Sequence, residues 1–246
     1  MTIESERVRP QAHGLQGNGS QTDEAGATGP REGEPAFLTD TRASYDAIAA
    51  DYADIFRADL EAKPLDRATL TAFAELVEGR VVEVGSGPGR TTAYLDGRGV
   101  DISGIDLSPA MVALARRTFP GLRFDEGSMT ALDLDDGSLG GLVAWYSIIH
   151  VPPAQRPAVY AEFHRVLAPG GYLLLGFQVG HEPVRHTEAF GHEVLLDFHR
   201  LMPEQVAEQL ESAGFEVRAR TVREAEPGEK TPQAHLLARR PPVVTA

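Results

Sequence analysis

The stretch "VVEVGSGPGRTT", Val81 to Thr92, decides the fold. A β-branched apolar run carries one acid, Glu83, and then glycines fall at alternate positions: Gly85, Gly87 and Gly89. The run predicts a short strand buried on both faces, and "RTTAYLDGRG" after it predicts a helix. Glycines in the connection let the backbone take φ > 0 and let a ligand approach closely.

Outward from this stretch the chain alternates. "DISGIDLS" predicts a second strand. "SPAMVALARRTF" predicts a helix with Ser108 as N-cap and Pro109 at its first position. "GLRFDEGS", "GGLVAWYSII" and "YLLLGFQVG" predict strands three to five, with the helix "PAQRPAVYAEFHRVLAPGG" before the fifth. "MPEQVAEQLESAGF" predicts a helix, and "EVRARTVRE" and "QAHLLARR" predict the last two strands. Strands alternating with helices define an α/β protein with a mostly parallel sheet covered on both faces. No helix separates the last two strands, so they must close the sheet as an antiparallel hairpin.

Two amphipathic helices precede this core. In "RASYDAIAADYADIFRADL", Tyr45, Ile48, Ala49, Tyr52, Ile55 and Phe56 recur at helical spacing; "LDRATLTAFAELVEG" follows, closed by Gly79. Residues 1 to 36 are rich in Gly, Gln, Thr and acids, and are expected to form a disordered tail. The folded domain is expected over 37–246.

Composition narrows the function. The chain has 246 residues, 42% hydrophobic, with no cysteine and a formal net charge of -13. Disulfides, thiol catalysis and thiolate metal sites are excluded. A basic nucleic-acid footprint is absent, so no nucleic-acid partner is expected. No apolar run approaches ~18 residues, so no membrane span is expected, and the polar start predicts a cytoplasmic protein.

The glycine loop suits a small molecule at the carboxyl ends of the strands. Its G-x-G-x-G spacing differs from the dinucleotide G-x-G-x-x-G, and the Gly-Lys-Ser/Thr of a phosphate loop is missing. Glu83 beside the glycines disfavours phosphate and suits a cationic ligand. Asp106, about 20 residues further on at the end of the second strand, can accept both hydroxyls of a ribose.

These motifs, with "GIDLSPAMV", "FDEGSMTALDL", "GLVAWYSIIHVPP" and "VLAPGGYLLLGF", resemble the class I S-adenosylmethionine-dependent methyltransferases. The likeness runs from about Thr41 to Arg240. It is nearest to a small bacterial group with an N-terminal "YDxxAxxY" helix, here Tyr45, Asp46, Ala49 and Tyr52. The resemblance implies a Rossmann-like seven-stranded sheet with an antiparallel terminal strand. It implies S-adenosylmethionine as cofactor, with S-adenosylhomocysteine as product. Glu83 would lie near the methionine ammonium, and Gly85, Gly87 and Gly89 would let the backbone pass under the cofactor. Asp106 would hold the ribose, with Leu107 and Met111 flanking the adenine and Ser128 and Met129 at its edge and face. Many relatives carry aspartate where Ser128 stands. Trp145 and Tyr146 would line the methionine side, and Arg90 would reach the cofactor carboxylate or lie solvated. The helix bearing Tyr45 and Tyr52, within 37–60, would cap the cofactor.

His150, directly after the fourth strand, is the candidate general base: its ordinary pKa class suits neutral pH. The segment 180–202 holds His181, His186, His192 and His199, and is expected to be a polar substrate lid or an extra surface strand. Their spacing matches no compact zinc motif, so no metal is expected. The expectation is a methyltransferase of a small molecule, at oxygen before nitrogen. A nicotinamide-dependent oxidoreductase and a non-catalytic cofactor-binding protein are the rivals.

Overall fold

A computed structural model describes residues 33–243. The expected tail lies outside these residues except at its end, where Glu34 pairs with Arg42. The chain runs α1 (Ala36–Ile55), α2 (Asp59–Ala62), α3 (Pro64–Leu76), β1 (Val81–Val84), α4 (Arg90–Asp96), β2 (Ile102–Asp106), α5 (Pro109–Thr118), β3 (Phe124–Glu126) and β4 (Leu139–Trp145). It continues with a 3-10 turn (Ile148–His150), α6 (Arg156–Val166), β5 (Leu167–Gln178), β6 (Val184–Ala189), β7 (His192–Phe198), α7 (Pro203–Ser212), β8 (Glu216–Arg223) and β9 (Gln233–Arg239).

Seven strands form one sheet in the order β3-β2-β1-β4-β5-β9-β8. The pairs among β1 to β5 are parallel, and β9 runs antiparallel to both β5 and β8. The last strand is therefore inserted inside the sheet, and β8 forms its edge. Strand order reverses between β1 and β4, the switch point where open α/β sheets leave a crevice.

The pleat divides the core. Val81, Val143 and Leu174 pack with Leu70 and Phe73 of α3 and Leu95 of α4. Their neighbours Val82, Leu142 and Leu173 point to the other face, onto Val159, Tyr160 and Phe163 of α6 and Val206 and Leu210 of α7. At α5 the Ser108 hydroxyl accepts the Met111 N–H at 3.1 Å, and Pro109 opens the helix, as the sequence indicates.

Three expectations need correction. The helix expected across 37–60 breaks: α1 ends at Ile55, and a short α2 follows. The fourth strand stops at Trp145 rather than running through "YSII", because Tyr146 turns to φ 58 and ends the pairing. The segment 180–202 holds two surface strands where one was expected, outside the main sheet. It is a separate hairpin, β6–β7, turned at Phe190 and Gly191 with φ 53 and φ 82, the paired positive values of a tight hairpin turn. Its Val194, Leu196 and Phe198 are buried, and β7 packs against α1. Alternation in "VLLDF" carries this pattern; the histidines obscure it.

Candidate active site at the carboxyl edge

The crevice at the switch point is a cavity roofed by α1. One helical stripe, Leu38, Thr41, Arg42, Tyr45 and Tyr52, forms its roof. The strand ends form its floor. Glu83, Gly85, Gly87, Arg90, Asp106, Leu107, Met111, Ser128, Met129, Trp145, Tyr146 and His150 all line it, as do Tyr45 and Tyr52. Gly89 does not. A Cβ there would lie 2.6 Å from the Phe124 ring, so this glycine is required by the packing of β3. The other two glycines also differ. A Cβ on Gly85 would sit 2.3 Å from the Cβ of Ser147, whereas nothing lies within 4 Å of one on Gly87. Only Gly87 therefore leaves open space over the loop.

Glu83 is buried, and its carboxylate accepts the Thr92 hydroxyl at 2.5 Å. Burial pushes its pKa up to about 8, against the smaller pull of Thr92 and Arg90. Asp106 is also buried. One oxygen accepts the Gly87 N–H at 2.6 Å and the other the Ser108 N–H at 2.9 Å. Burial raises it to about 6 in spite of these bonds. A carboxylate has about four lone-pair sites, so two remain for hydroxyl donors. Buried carboxylates on adjacent strand ends flank the open space above Gly87, an arrangement that suits a ligand with a cationic end and a diol.

Arg90 is not a solvated residue. Its guanidinium donates to the Phe56 carbonyl and stands 5.7 Å from the Tyr52 and Phe56 ring centres. It ties the glycine loop to the end of α1. The Ser128 hydroxyl bonds Thr130 Oγ1 at 2.7 Å and accepts the Thr130 N–H, so it is partly committed to its own turn.

His150 lies in a chain of hydrogen bonds. Its Nδ1 stands 3.1 Å from the Asp197 carbonyl, which can only accept, so Nδ1 carries the proton. Nε2 then accepts the Tyr45 hydroxyl at 2.9 Å. Burial pushes His150 down to about 4, so the imidazole is neutral at pH 7. Tyr45 is half-buried, and desolvation pushes it well above 10, so its hydroxyl keeps its proton. The rings meet edge-on, with centres 5.3 Å apart. The hairpin contributes no side chain to the cavity lining; it acts through this Asp197 carbonyl and through α1.

Sequence reasoning missed Arg42, Asp59, Lys63 and Ser147 in the lining. Arg42 stands one turn before Tyr45 on the same helix face, a signal available to a stricter use of helical spacing. Asp59 and Lys63 arrive through the break after α1, which no periodicity marks.

The class is thus a doubly wound α/β protein with a ligand crevice at its switch point. A family model described as "Methyltransferase domain" matches residues 81–171. A demethylmenaquinone methyltransferase from Beutenbergia cavernae is 37% identical over 109 residues, 44% of this chain and 45% of that protein. Among solved structures, a DhpI complex with S-adenosylhomocysteine superposes with a TM-score of 0.67 at 23% identity, over 84% of this chain and 98% of that one. The glycopeptide N-methyltransferase MtfA with S-adenosylmethionine gives 0.56 at 23%, over 71% and 87%. Residues 81–171 are thus similar to a methyltransferase domain, and the fold is the one these solved methyltransferase structures share. The chain spans about half or less of the length of the curated relatives it matches. Among the described residues, no helix is long and apolar enough to cross a membrane.

Proposed function

We infer that the chain is an S-adenosylmethionine-dependent methyltransferase acting on a small molecule, with oxygen as the favoured acceptor atom. The observation that carries this reading is the pair of buried carboxylates, Glu83 and Asp106, around the open space above Gly87. Glu83 would face the methionine ammonium, and Asp106 the ribose hydroxyls through its two remaining lone-pair sites. Leu107, Met111, Ser128 and Met129 would enclose the adenine. Arg90, Tyr52, Trp145 and Tyr146 would bound the methionine end. The sulfonium of the cofactor supplies an electrophilic methyl group and leaves as a neutral thioether.

The protein's own work is then alignment, exclusion of water and care of one proton. Alignment of this kind supplies roughly 7–11 kcal/mol. The cavity is roofed, which suits a small acceptor. The Tyr45–His150 chain offers a proton path: the Tyr45 oxygen receives a proton from an acceptor hydroxyl as its own passes to Nε2. His150 thus acts through Tyr45, not by direct contact. Tyr45→Phe and His150→Ala are each expected to lower kcat about 10²–10⁴-fold and to leave S-adenosylhomocysteine affinity near normal. Unchanged turnover in both variants removes the relay and favours an amine acceptor, which can react as the free base without one.

Titration with S-adenosylhomocysteine and with NADH tests the cofactor. Saturable binding of the first is expected; tight binding of NADH alone overturns the reading in favour of an oxidoreductase. Cofactor binding without methyl product from a broad set of labelled-methyl assays on alcohols and amines would favour a non-catalytic protein.

A further inference from the structure

The cavity extends toward the β9–β8 side of the sheet, where Asp59, Leu60, Lys63, Trp145 and Tyr146 line it. Behind this wall lies an ionic cluster at the same carboxyl edge. Arg223, at the end of β8, donates to Asp66 at 2.7 Å and to Glu229 at 2.5 and 2.8 Å. Lys63 bridges Asp59 at 3.0 Å and Glu229 at 2.9 Å. His235, stacked on Trp145 with centres 4.6 Å apart, stands 3.7 Å from Asp66. Burial pushes His235 down to about 4, so it adds no charge at neutral pH. Three carboxylates therefore face two cations.

The cluster also leaves hydrogen-bonding capacity unmet. The Thr69 hydroxyl stands 3.1 Å from the Leu65 carbonyl and 3.3 Å from His235 Nδ1. The His235 Nε2 has no hydrogen-bond partner. Gln233 spends an amide N–H on the Thr231 carbonyl, and its Oε1 has no partner. Gln233 and His235 are two apart on β9 and share a face. The Tyr146 hydroxyl is buried and likewise unpartnered, on a ring that lines the cavity 6.4 Å from His235. Tyr146 holds φ 58, a conformation costing of order 1–3 kcal/mol, of the kind found at ligand sites. A region with surplus negative charge, the unpartnered Gln233 Oε1 and a hydroxyl free to accept suits a group that brings N–H bonds and positive charge.

The geometry points to this end of the cavity as the seat of a protonated amine carried by the methyl acceptor, with the Tyr146 hydroxyl receiving one of its N–H bonds. This assignment rests on the methyltransferase reading and names the acceptor class: a small amine-bearing molecule. Tyr146 is then a specificity residue, and its role toward the methionine end is by packing alone.

Trp145 is the single tryptophan, lines the cavity and meets the Tyr146 ring edge-on at 5.5 Å, so its emission reports occupancy. The test is fluorescence titration of the full chain, saturated with S-adenosylhomocysteine, with benzylamine, benzyl alcohol and benzoate. Benzylamine is expected to bind saturably and about 10-fold or more tighter than benzoate. Tyr146→Phe is expected to weaken benzylamine by about 10-fold, the scale of one hydrogen bond to a charged group. It should leave the Tm equal or higher, since an unpaired buried hydroxyl is removed. Asp59→Asn should weaken benzylamine and spare benzyl alcohol. No benzylamine binding, a preference for benzoate, or equal benzylamine affinity in Tyr146→Phe overturns the assignment. Loss of S-adenosylhomocysteine affinity in Tyr146→Phe overturns it too, by giving the hydroxyl to the cofactor. If the wild-type chain does not bind S-adenosylhomocysteine, the cofactor reading fails by itself, and the same titrations on the protein alone still decide the amine seat.

Discussion

Glu83 carries opposite demands at the scale of the residue. Its pKa is raised from 4.5 to about 8, chiefly by burial. A raised carboxyl favours the protonated folded state, so its contribution is full below pH 4.5 and is lost as pH rises toward 8. Asp106, raised from 3.8 to about 6, acts with the same sign in its own window. Binding a cationic ligand asks for the ionised form instead. S-adenosylhomocysteine affinity should therefore rise with pH to about 8, with proton release seen by calorimetry in buffers of different ionisation enthalpy. Glu83→Gln should raise the Tm of the ligand-free protein at pH 8, by roughly 2–4 °C per kcal/mol, and weaken the ligand. Equal affinity in the variant would remove Glu83 from the site. Asp106→Asn should weaken S-adenosylhomocysteine by about 1.5–3 kcal/mol in the same titration. That Glu83 and Asp106 line the cavity was legible because an acid beside glycines has few structural uses. Their pKa values were not, because desolvation depends on α1 and the rest of the roof.

At the scale of the element, α1 is the part whose docking completes the cavity. Asp46 fastens it: its Oδ1 accepts the Ser108 hydroxyl at 2.5 Å and the Ala110 N–H at 3.1 Å, at the start of α5. Ser44 and Asp51 hold the same helix to β7, through the Leu195 N–H at 2.8 Å and His192 at 2.9 Å. Asp46→Ala removes a helix-capping acceptor and should cost about 0.5–2 kcal/mol, read as a lower Tm. Faster amide exchange in 36–55 and faster ligand release should accompany it. The helical spacing of Tyr45 and Tyr52 made this helix readable, and the 3.6-residue repeat put both on one face. The hairpin was harder. Four histidines in 180–202 suggest chemistry, yet none of them lines the cavity; Val194, Leu196 and Phe198 are buried, and the Asp197 carbonyl bonds His150.

Across the whole molecule, the inserted β9 brings the end of β8 and the start of α3 together beside the cavity. Arg223 is the buried tie between them, held by Asp66 and Glu229. Arg223→Leu leaves both carboxylates without that partner and should cost about 3–5 kcal/mol, measured by denaturant unfolding. A normal midpoint in that variant would show that the edge strand is held by its ladder alone. By itself the sequence determined the strand and helix order, the terminal hairpin and the glycine loop with its two acids, because period, β-branching and capping residues are local signals. Tertiary structure alone decided that Gly89 serves Phe124, that Tyr45 covers the His150 lone pair, and that Lys63, Arg223 and His235 meet behind Tyr146. Those facts are contacts between residues far apart in the chain, set by the close packing of helices on the sheet, and no local pattern encodes them.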